Sequence, residues 1–253
     1  MRFATNRPVK IVMLGAGGTG AHIAPNLYRL LYSIDRPARV IVADGDSVEQ
    51  KNLVRQHFSP AELGMNKARA VAERYAAAFK MEAEYVPDFI EDAARLTELV
   101  TPSVFKQSGR DEKIKETVVL IGAVDNNRSR RLCHGVFMGS RDLIYIDSGN
   151  GEFSGQVVCG FRRAGRTMLP PVGVLYPDVL EETDKFPSEL SCAEQSVSAP
   201  QAITANLTAA ATVVNMIFNI LVLGEIQSGQ VSFSTKSIRV QPMITKTNRR
   251  KAA

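Results

Sequence analysis

Apolar residues in this chain fall into short unbroken runs separated by stretches of helical period, and the alternation repeats several times. Val9 to Gly15 is such a run, bounded by Pro8 and glycine, and Arg39 to Asp46 (RVIVADGD), Thr117 to Val124 (TVVLIGAV) and Leu143 to Asp147 (LIYID) share its design. Runs without polar interruption predict strands buried on both faces, as in a parallel sheet. Helical spacing predicts helices at His22 to Tyr32, Asn66 to Phe79, Asp92 to Val100 and Ser129 to Met138. Ser59-Pro60-Ala61-Glu62 predicts a helix start, with a capping box and proline at the first position. Glu82 to Val86 predicts a weak strand, and the polar stretch from Thr101 to Glu116 a loop.

Beyond residue 150 the texture changes. GNGEFSGQVVCGF predicts an antiparallel strand, and Arg162 to Leu190, which holds Pro170, Pro171, Pro177 and Pro187, a loop crossing the face of the sheet. A long apolar helix over 202 to 223 and paired strands near Val231 to Phe233 and Ser237 to Val240 complete the pattern. The expected fold is α/β: a Rossmann-like, doubly wound, mostly parallel sheet with antiparallel C-terminal strands. With 253 residues and 45% hydrophobic content the chain can fill one large core, so a single domain is expected. Its parts would be a nucleotide-binding half (1 to 150), a half with the crossing loop, long helix and last strands (151 to 245) and a basic tail (246 to 253).

The net charge is +5, with basic groups in RRAGR at 162 to 166 and in the C-terminal KTNRRKAA. A solvated surface is the expectation, and nucleic acid is not an expected partner. No charged residue stands between Glu194 and Glu225, yet Asn206, Thr208, Thr212, Asn215 and Asn219 interrupt the apolar stretch, which favours a buried helix over a membrane span. The polar start MRFATNRPVK is unlike a signal peptide, so a cytoplasmic location is expected. Cys133, Cys159 and Cys192 form no C-x-x-C pair; free thiols are expected, and no structural zinc.

The candidate chemistry begins where the first run breaks into glycine. Gly15, Gly17 and Gly20 have the G-x-G-x-x-G spacing between a strand and a helix, Gly18 opens the turn further, and Asp44 ends the next strand. Glycines let backbone approach phosphates at a helix N-terminus, and the carboxylate can accept ribose hydroxyls. An NAD or FAD oxidoreductase would satisfy that pattern as well as an ATP enzyme. Asn52, Arg55 and Gln56, at i, i+3 and i+4, share one side of a helical turn, and Lys67 opens the helix after Gly64. An amide, a guanidinium and an ammonium near a glycine turn suit a triphosphate better than a nicotinamide. Asp125 follows the fourth strand at its carboxyl end, where one carboxylate beside phosphates can ligate Mg²⁺. Each residue also has a plain alternative: Asn52 as a turn cap, Arg55 and Lys67 as surface cations, Asp125 as the N-cap of the helix near Ser129.

The ordered set GAGGTG, VADGD, NLVRQ, GMNKA and AVDNNRSR resembles the ThiF/MoeB/ubiquitin-activating-enzyme superfamily over most of the chain. SGNGEFSGQVV, LPPVGVLYPDV and SCAEQ look like the ThiF-related proteins of the PRTRC cassette. The resemblance implies ATP-dependent adenylation of the C-terminal glycine of a small ubiquitin-like, β-grasp partner, and a homodimer. It places Gly18 in the phosphate turn, Asp44 at the ribose with Asp46 in the same VADGD turn, Asn52 and Arg55 at the phosphates, Lys67 at the triphosphate, and Asp125 at Mg²⁺ with Asn126 beside it. Some relatives pass the acyl group to a cysteine; Cys192, between a long loop and a helix start, is the candidate, with loop or core filler as the alternative. The alternatives to such an enzyme are a nucleotide-binding adaptor and an NAD-dependent oxidoreductase, although His22, His57 and His134 form no obvious hydride-site constellation in the sequence. Two departures stand out. The C-x-x-C pairs of many relatives are missing, and only Arg2 and Arg7 precede the first strand, so an arginine supplied in trans is not expected.

Overall fold

The unbroken apolar runs become the middle of one nine-stranded sheet in the structure of the chain, a computed structural model that describes residues 1–106, 113–181, 185–189 and 201–243. Strands β1 (Val9–Leu14), β2 (Ala38–Ala43) and β3 (Glu84–Val86) lie side by side and parallel, with helices α1 (Gly20–Ser33) and α2 (Lys67–Phe79) between them in sequence. After α3 (Ala93–Val100) the chain makes a separate antiparallel pair, β4 (Val104–Lys106) with β5 (Lys113–Lys115). It then returns to the sheet as β6 (Thr117–Gly122) on the other side of β1, followed by α4 (Asn127–Gly139) and β7 (Leu143–Asn150). Strand β8 (Ser154–Arg163) turns back antiparallel on β7 and carries β9 (Arg166–Leu169) at one end; β10 (Gln230–Ser234) and β11 (Arg239–Pro242) continue the sheet at its other end. The order along the main path is β11-β10-β8-β7-β6-β1-β2-β3.

Side chains of the central strands alternate between two cores, as strand geometry requires. Ile11, Met13, Val40, Val42, Ile121 and Ile146 pack under α1, α2 and the long helix α6 (Ile203–Leu221). Val12, Leu14, Ile41, Leu120 and Tyr145 face α3, α4 and the short helix α5 (Val172–Leu175). Helix α6 is long and apolar enough to cross a membrane by composition, yet Ala209, Val213, Met216, Ile217, Ile220 and Leu221 are buried along it. One face of the helix is buried as expected, while Ile203, Leu207 and Phe218 on it are exposed.

Several expectations are corrected. The stretch from Thr101 to Glu116, read as loop, contains the β4 and β5 pair; Val104 and Phe105 suit a strand, and the short KIK segment completes it. The capping box at Ser59 and Glu62 forms, but it closes only a three-residue 3-10 turn, Pro60–Glu62, because Gly64, at φ +81, ends the turn. Part of the supposed loop from Arg162 to Leu190 is β9, joined to β8 through Ala164 and Gly165 at φ 51 and 78, a hairpin turn with two positive φ values. The same stretch also holds α5 and 3-10 turns at Pro177–Leu180 and Pro187–Glu189. The last strand begins at Arg239, two residues later than read.

Candidate functional site

The direction of winding reverses between β1 and β6, since β2 and β3 lie to one side of β1 and β7 beyond β6 on the other. Loops leaving the carboxyl ends of such a pair part from each other and leave a crevice, the place where open α/β sheets bind ligands. Here the crevice is a cleft lined by the glycine turn, the segment after β2, the start of α2, the segment after β6, the end of β7 and Gln201.

Four glycines build its floor for different reasons. Gly15 stands at φ +90, and a Cβ there would lie 2.5 Å from the Ala123 carbonyl oxygen; a Cβ on Gly20 would lie 2.0 Å from the Gly15 carbonyl oxygen. Those two let the turn fold back on the sheet and seat α1. A Cβ on Gly18 would meet Asn206 Nδ2 at 2.7 Å and Arg55 Nη1 at 3.0 Å, so this glycine admits a cation against the turn. A Cβ on Gly17 would make only ordinary contact, with Gln56 Nε2 at 3.8 Å and Oε1 at 4.0 Å.

Asp44, 8% exposed, ties this floor to the end of β2: Ala16 N donates to its Oδ2 at 2.6 Å and Asp46 N to its Oδ1 at 2.9 Å. Burial raises its pKa above the usual carboxylate value and outweighs the opposing pull of Lys67. Lys67, the first residue of α2 and 5% exposed, points Nζ to Asp46 Oδ2 at 2.7 Å. Asn66 caps that helix by accepting from Arg69 N, and its own amide donates to the Asp44 carbonyl at 2.8 Å, which fixes α2 against the cleft.

Asn52, Arg55 and Gln56 stand on one turn, as the spacing predicts, because Gln56 N donates to the Asn52 carbonyl at 2.8 Å. Asn52 also accepts from Glu49 N at 2.8 Å, so the turn-cap alternative holds for its side chain while the residue still lines the cleft. Arg55 donates to Gln201 Oε1 at 3.1 Å across the cleft. Gln56 Oε1 is buried and has no hydrogen-bond partner among the described residues. Asp125 is exposed on the cleft wall and makes no ion pair with another described residue. It does not cap α4. That role belongs to Asn126, which accepts from Ser129 N at 2.7 Å and starts the helix two residues earlier than read.

Sequence reasoning missed the far wall. Thr19 Oγ1 donates to Asn150 Oδ1 at 3.1 Å, Asn150 Nδ2 to Asn206 Oδ1 at 2.8 Å, and Gln201 Nε2 to the Asn150 carbonyl at 3.4 Å. Asn206 is fully buried, and among the described residues neither its Nδ2 nor Ser148 Oγ, at the cleft edge, has a hydrogen-bond partner. The available signal was an asparagine on the apolar side of α6, a polar group that burial makes costly unless it is used. The histidines read as scattered also partly converge: His22 and His57 stack with ring centroids 5.6 Å apart, and His22 Nε2 lies 3.2 Å from the Arg55 carbonyl oxygen. Cys133 and Cys159 are fully buried, and burial pushes both thiols up to about 12. Cys192 lies outside the described residues.

The model of the ThiF family matches residues 5–252. No curated protein matches the chain. Among solved structures, that of PaaA superposes with a TM-score of 0.63 at 18% identity, over 93% of this chain and 63% of its own. E. coli MccB solved with ATP gives a TM-score of 0.65 at 15% identity, over 94% of this chain and 64% of its own. E. coli MccB solved with AMPCPP and MccA gives 0.61 at 16% identity, over 93% and 63%. The chain thus spans just under two thirds of those proteins, and at such identities the likeness concerns the fold.

Proposed function

The chain belongs to the ThiF family, and from that premise we propose that it is an ATP-dependent adenylyltransferase that activates the C-terminal carboxylate of a small ubiquitin-like or sulfur-carrier protein. The observation that carries this reading is the meeting of Arg55 and Lys67 with an open glycine turn at the switch point of the sheet. MccB, of similar fold, has been solved with ATP and with MccA, which supports a nucleotide and a small partner here too. The same reading takes the protein to be cytoplasmic and a homodimer, the apolar residues exposed along α6, Leu207 and Phe218 among them, offering a surface for pairing. The kinship with PRTRC-cassette proteins belongs to this proposal as well.

Adenylation needs no general base, because the attacking carboxylate is anionic at neutral pH. The carboxylate oxygen bonds to the α-phosphorus, the bond to the bridging oxygen breaks, and pyrophosphate leaves. The protein's work is alignment and charge stabilisation. Lys67 pairs with Asp46, and Arg55 donates to the neutral amide of Gln201; a triphosphate would offer both cations a more highly charged partner. Asp44 would accept from the ribose while keeping its backbone donors. Asn52 and Gln56 would offer amides to the phosphates.

Among the described residues no three His, Cys, Asp or Glu side chains converge on a metal site. A magnesium nucleotide does not require that, since one or two carboxylates with phosphate oxygens and water complete its shell. Asp125, exposed on the cleft wall and free of ion pairs with described residues, fits as that carboxylate, with Asn126 beside it. Bound there, Mg²⁺ would neutralise charge developing on the leaving pyrophosphate. In a second step the Cys192 thiolate would attack the adenylate carbonyl, forming a thioester and releasing AMP.

Carrier-dependent exchange of pyrophosphate into ATP tests the reading. Arg55→Ala and Asp125→Ala should each abolish exchange in a folded protein, and Cys192→Ala should keep exchange but lose a thiol-cleavable adduct. ATP binding without exchange for any carrier ending in glycine would favour an adaptor, and preferential binding of NAD an oxidoreductase.

A further inference from the structure

Asp125 has no described ion-pair partner to hold its side chain, so its place depends on the backbone that delivers it. That backbone is held from behind by one guanidinium. Arg130, in the second turn of α4 and with its side chain 11% exposed, donates from Nη2 to the Val124 carbonyl at 2.6 Å and to the Ser148 carbonyl at 3.4 Å. Val124 directly precedes Asp125. Ser148 is the first residue of β7 beyond the last pair with β6, Gly122 with Asp147. One side chain therefore spans the gap where the two strands part, holding the segment after β6 at a fixed distance from the end of β7.

Arg130 is itself held. Nη1 donates to Asn127 Oδ1 at 3.2 Å, and Nε stands 3.4 Å from Asp147 Oδ1. Asp147, 1% exposed, accepts on its other oxygen from the Tyr145 hydroxyl at 2.9 Å, and Tyr145 is fully buried. A buried ion pair of this kind is a poor way to gain stability, because desolvation consumes most of the attraction and apolar residues of like volume serve as well.

We propose that Tyr145, Asp147 and Arg130 form a positioning relay for Asp125, fixing the carboxylate where it meets the magnesium triphosphate. The inference rests on the reading of Asp125 given above. Partners one shell behind a metal ligand typically change metal affinity ten- to a hundredfold when altered. Arg130→Lys keeps the charge but loses the fork that reaches two carbonyls; Tyr145→Phe removes the hydroxyl that orients Asp147 and leaves the ion pair in place.

The test is the affinity of the full chain for a fluorescent ATP analogue, titrated with Mg²⁺ and again with EDTA, beside a thermal melt of each variant. The ratio of the two affinities isolates the metal's contribution. Asp125→Ala should collapse this ratio, Arg130→Lys should lower it about tenfold, and Tyr145→Phe should lower it in the same direction by less, the Arg130 and Tyr145 variants keeping the wild-type affinity in EDTA. A wild-type ratio in folded Arg130→Lys, or in Tyr145→Phe should the lysine variant not fold, overturns the relay while a collapsed ratio in Asp125→Ala leaves the metal reading standing. A wild-type ratio in Asp125→Ala overturns the metal reading itself, and the relay with it.

Discussion

Gly17 and Gly20 are three residues apart in one motif, and the structure assigns them opposite tasks, so replacing each with alanine should separate folding from binding. A Cβ on Gly20 would lie 2.0 Å from the Gly15 carbonyl oxygen and 2.9 Å from its carbon, where real Cβ contacts essentially never fall below 3.0 Å. The start of α1 would have to withdraw by about 1 Å, and Gly15, already at φ +90 with its back against Ala123, has nowhere to move. Overpacking of a tight interior costs about 1–3 kcal/mol, which in a domain of this size lowers Tm by roughly 2–4 °C per kcal/mol. Gly20→Ala should therefore melt several degrees early. Gly17→Ala meets nothing nearer than 3.8 Å, and its φ lies outside the left-handed region, so the added methyl should leave Tm unchanged or raise it slightly. That methyl would, however, project into the cleft at the turn assigned to the phosphates. A tenfold loss of ATP affinity, about 1.4 kcal/mol, is the smallest expected effect. Melting curves and nucleotide titrations on both variants decide the matter. Wild-type ATP affinity in Gly17→Ala would refute the phosphate turn, and a wild-type Tm in Gly20→Ala would refute the close approach of α1 to the sheet.

Two further outcomes follow from burial. His22 is held below 6.5 chiefly by burial, with His57 adding to the depression and the Arg55 carbonyl opposing it. Below pH 6.5 the unfolded chain then binds the proton more readily than the native one, so stability falls as pH drops through that value, and the loss is complete below the native pKa. The urea midpoint of the wild type should fall more than that of His22→Gln between about pH 7.5 and about pH 5.5; equal slopes would contradict the assignment. Cys133 and Cys159, fully buried and with thiols pushed up to about 12, should resist alkylation in the native protein. Mass spectrometry should find at most one adduct per native chain and three after unfolding, and two native adducts would contradict the burial of these thiols.

What could be read in the sequence follows from how local each signal is. Buried parallel strands need unbroken apolar runs, so β1, β2, β6 and β7 were legible, and the glycine spacing identified the turn that leaves β1. The spacing of Asn52, Arg55 and Gln56 likewise put three polar groups on one turn, where the structure has them. The β8 to β9 hairpin was not legible, because its turn uses Ala164 at φ 51 in place of the usual asparagine or aspartate before glycine. The capping box at Ser59 and Glu62 formed as read, yet Gly64 stopped the helix after one turn; a start signal does not set a length.

The far wall of the cleft was hidden for a different reason. Thr19, Asn150 and the Gln201–Asn206 stretch come from three places in the sequence and meet only because α6 crosses the end of β7 beside the glycine turn. Asn206 in particular reads as a mild interruption of an apolar helix, whereas the structure makes it a fully buried amide whose nitrogen, beside Gly18, has no hydrogen-bond partner among the described residues. Leaving a buried amide nitrogen without a partner costs about 1–3 kcal/mol, and Asn206 carries that cost while its oxygen accepts from Asn150 Nδ2 at 2.8 Å and Thr19 Oγ1 at 3.5 Å. Arg130 follows the same logic on the opposite wall, since an apolar side chain could fill its space without desolvating a charge. Both carry a desolvation cost, and both stand against the cleft-forming backbone, Asn206 beside Gly18 and Arg130 on the carbonyl of the residue before Asp125. A cleft whose walls accept that penalty on two sides is one in which the position of backbone atoms matters more than the stability of the fold around them.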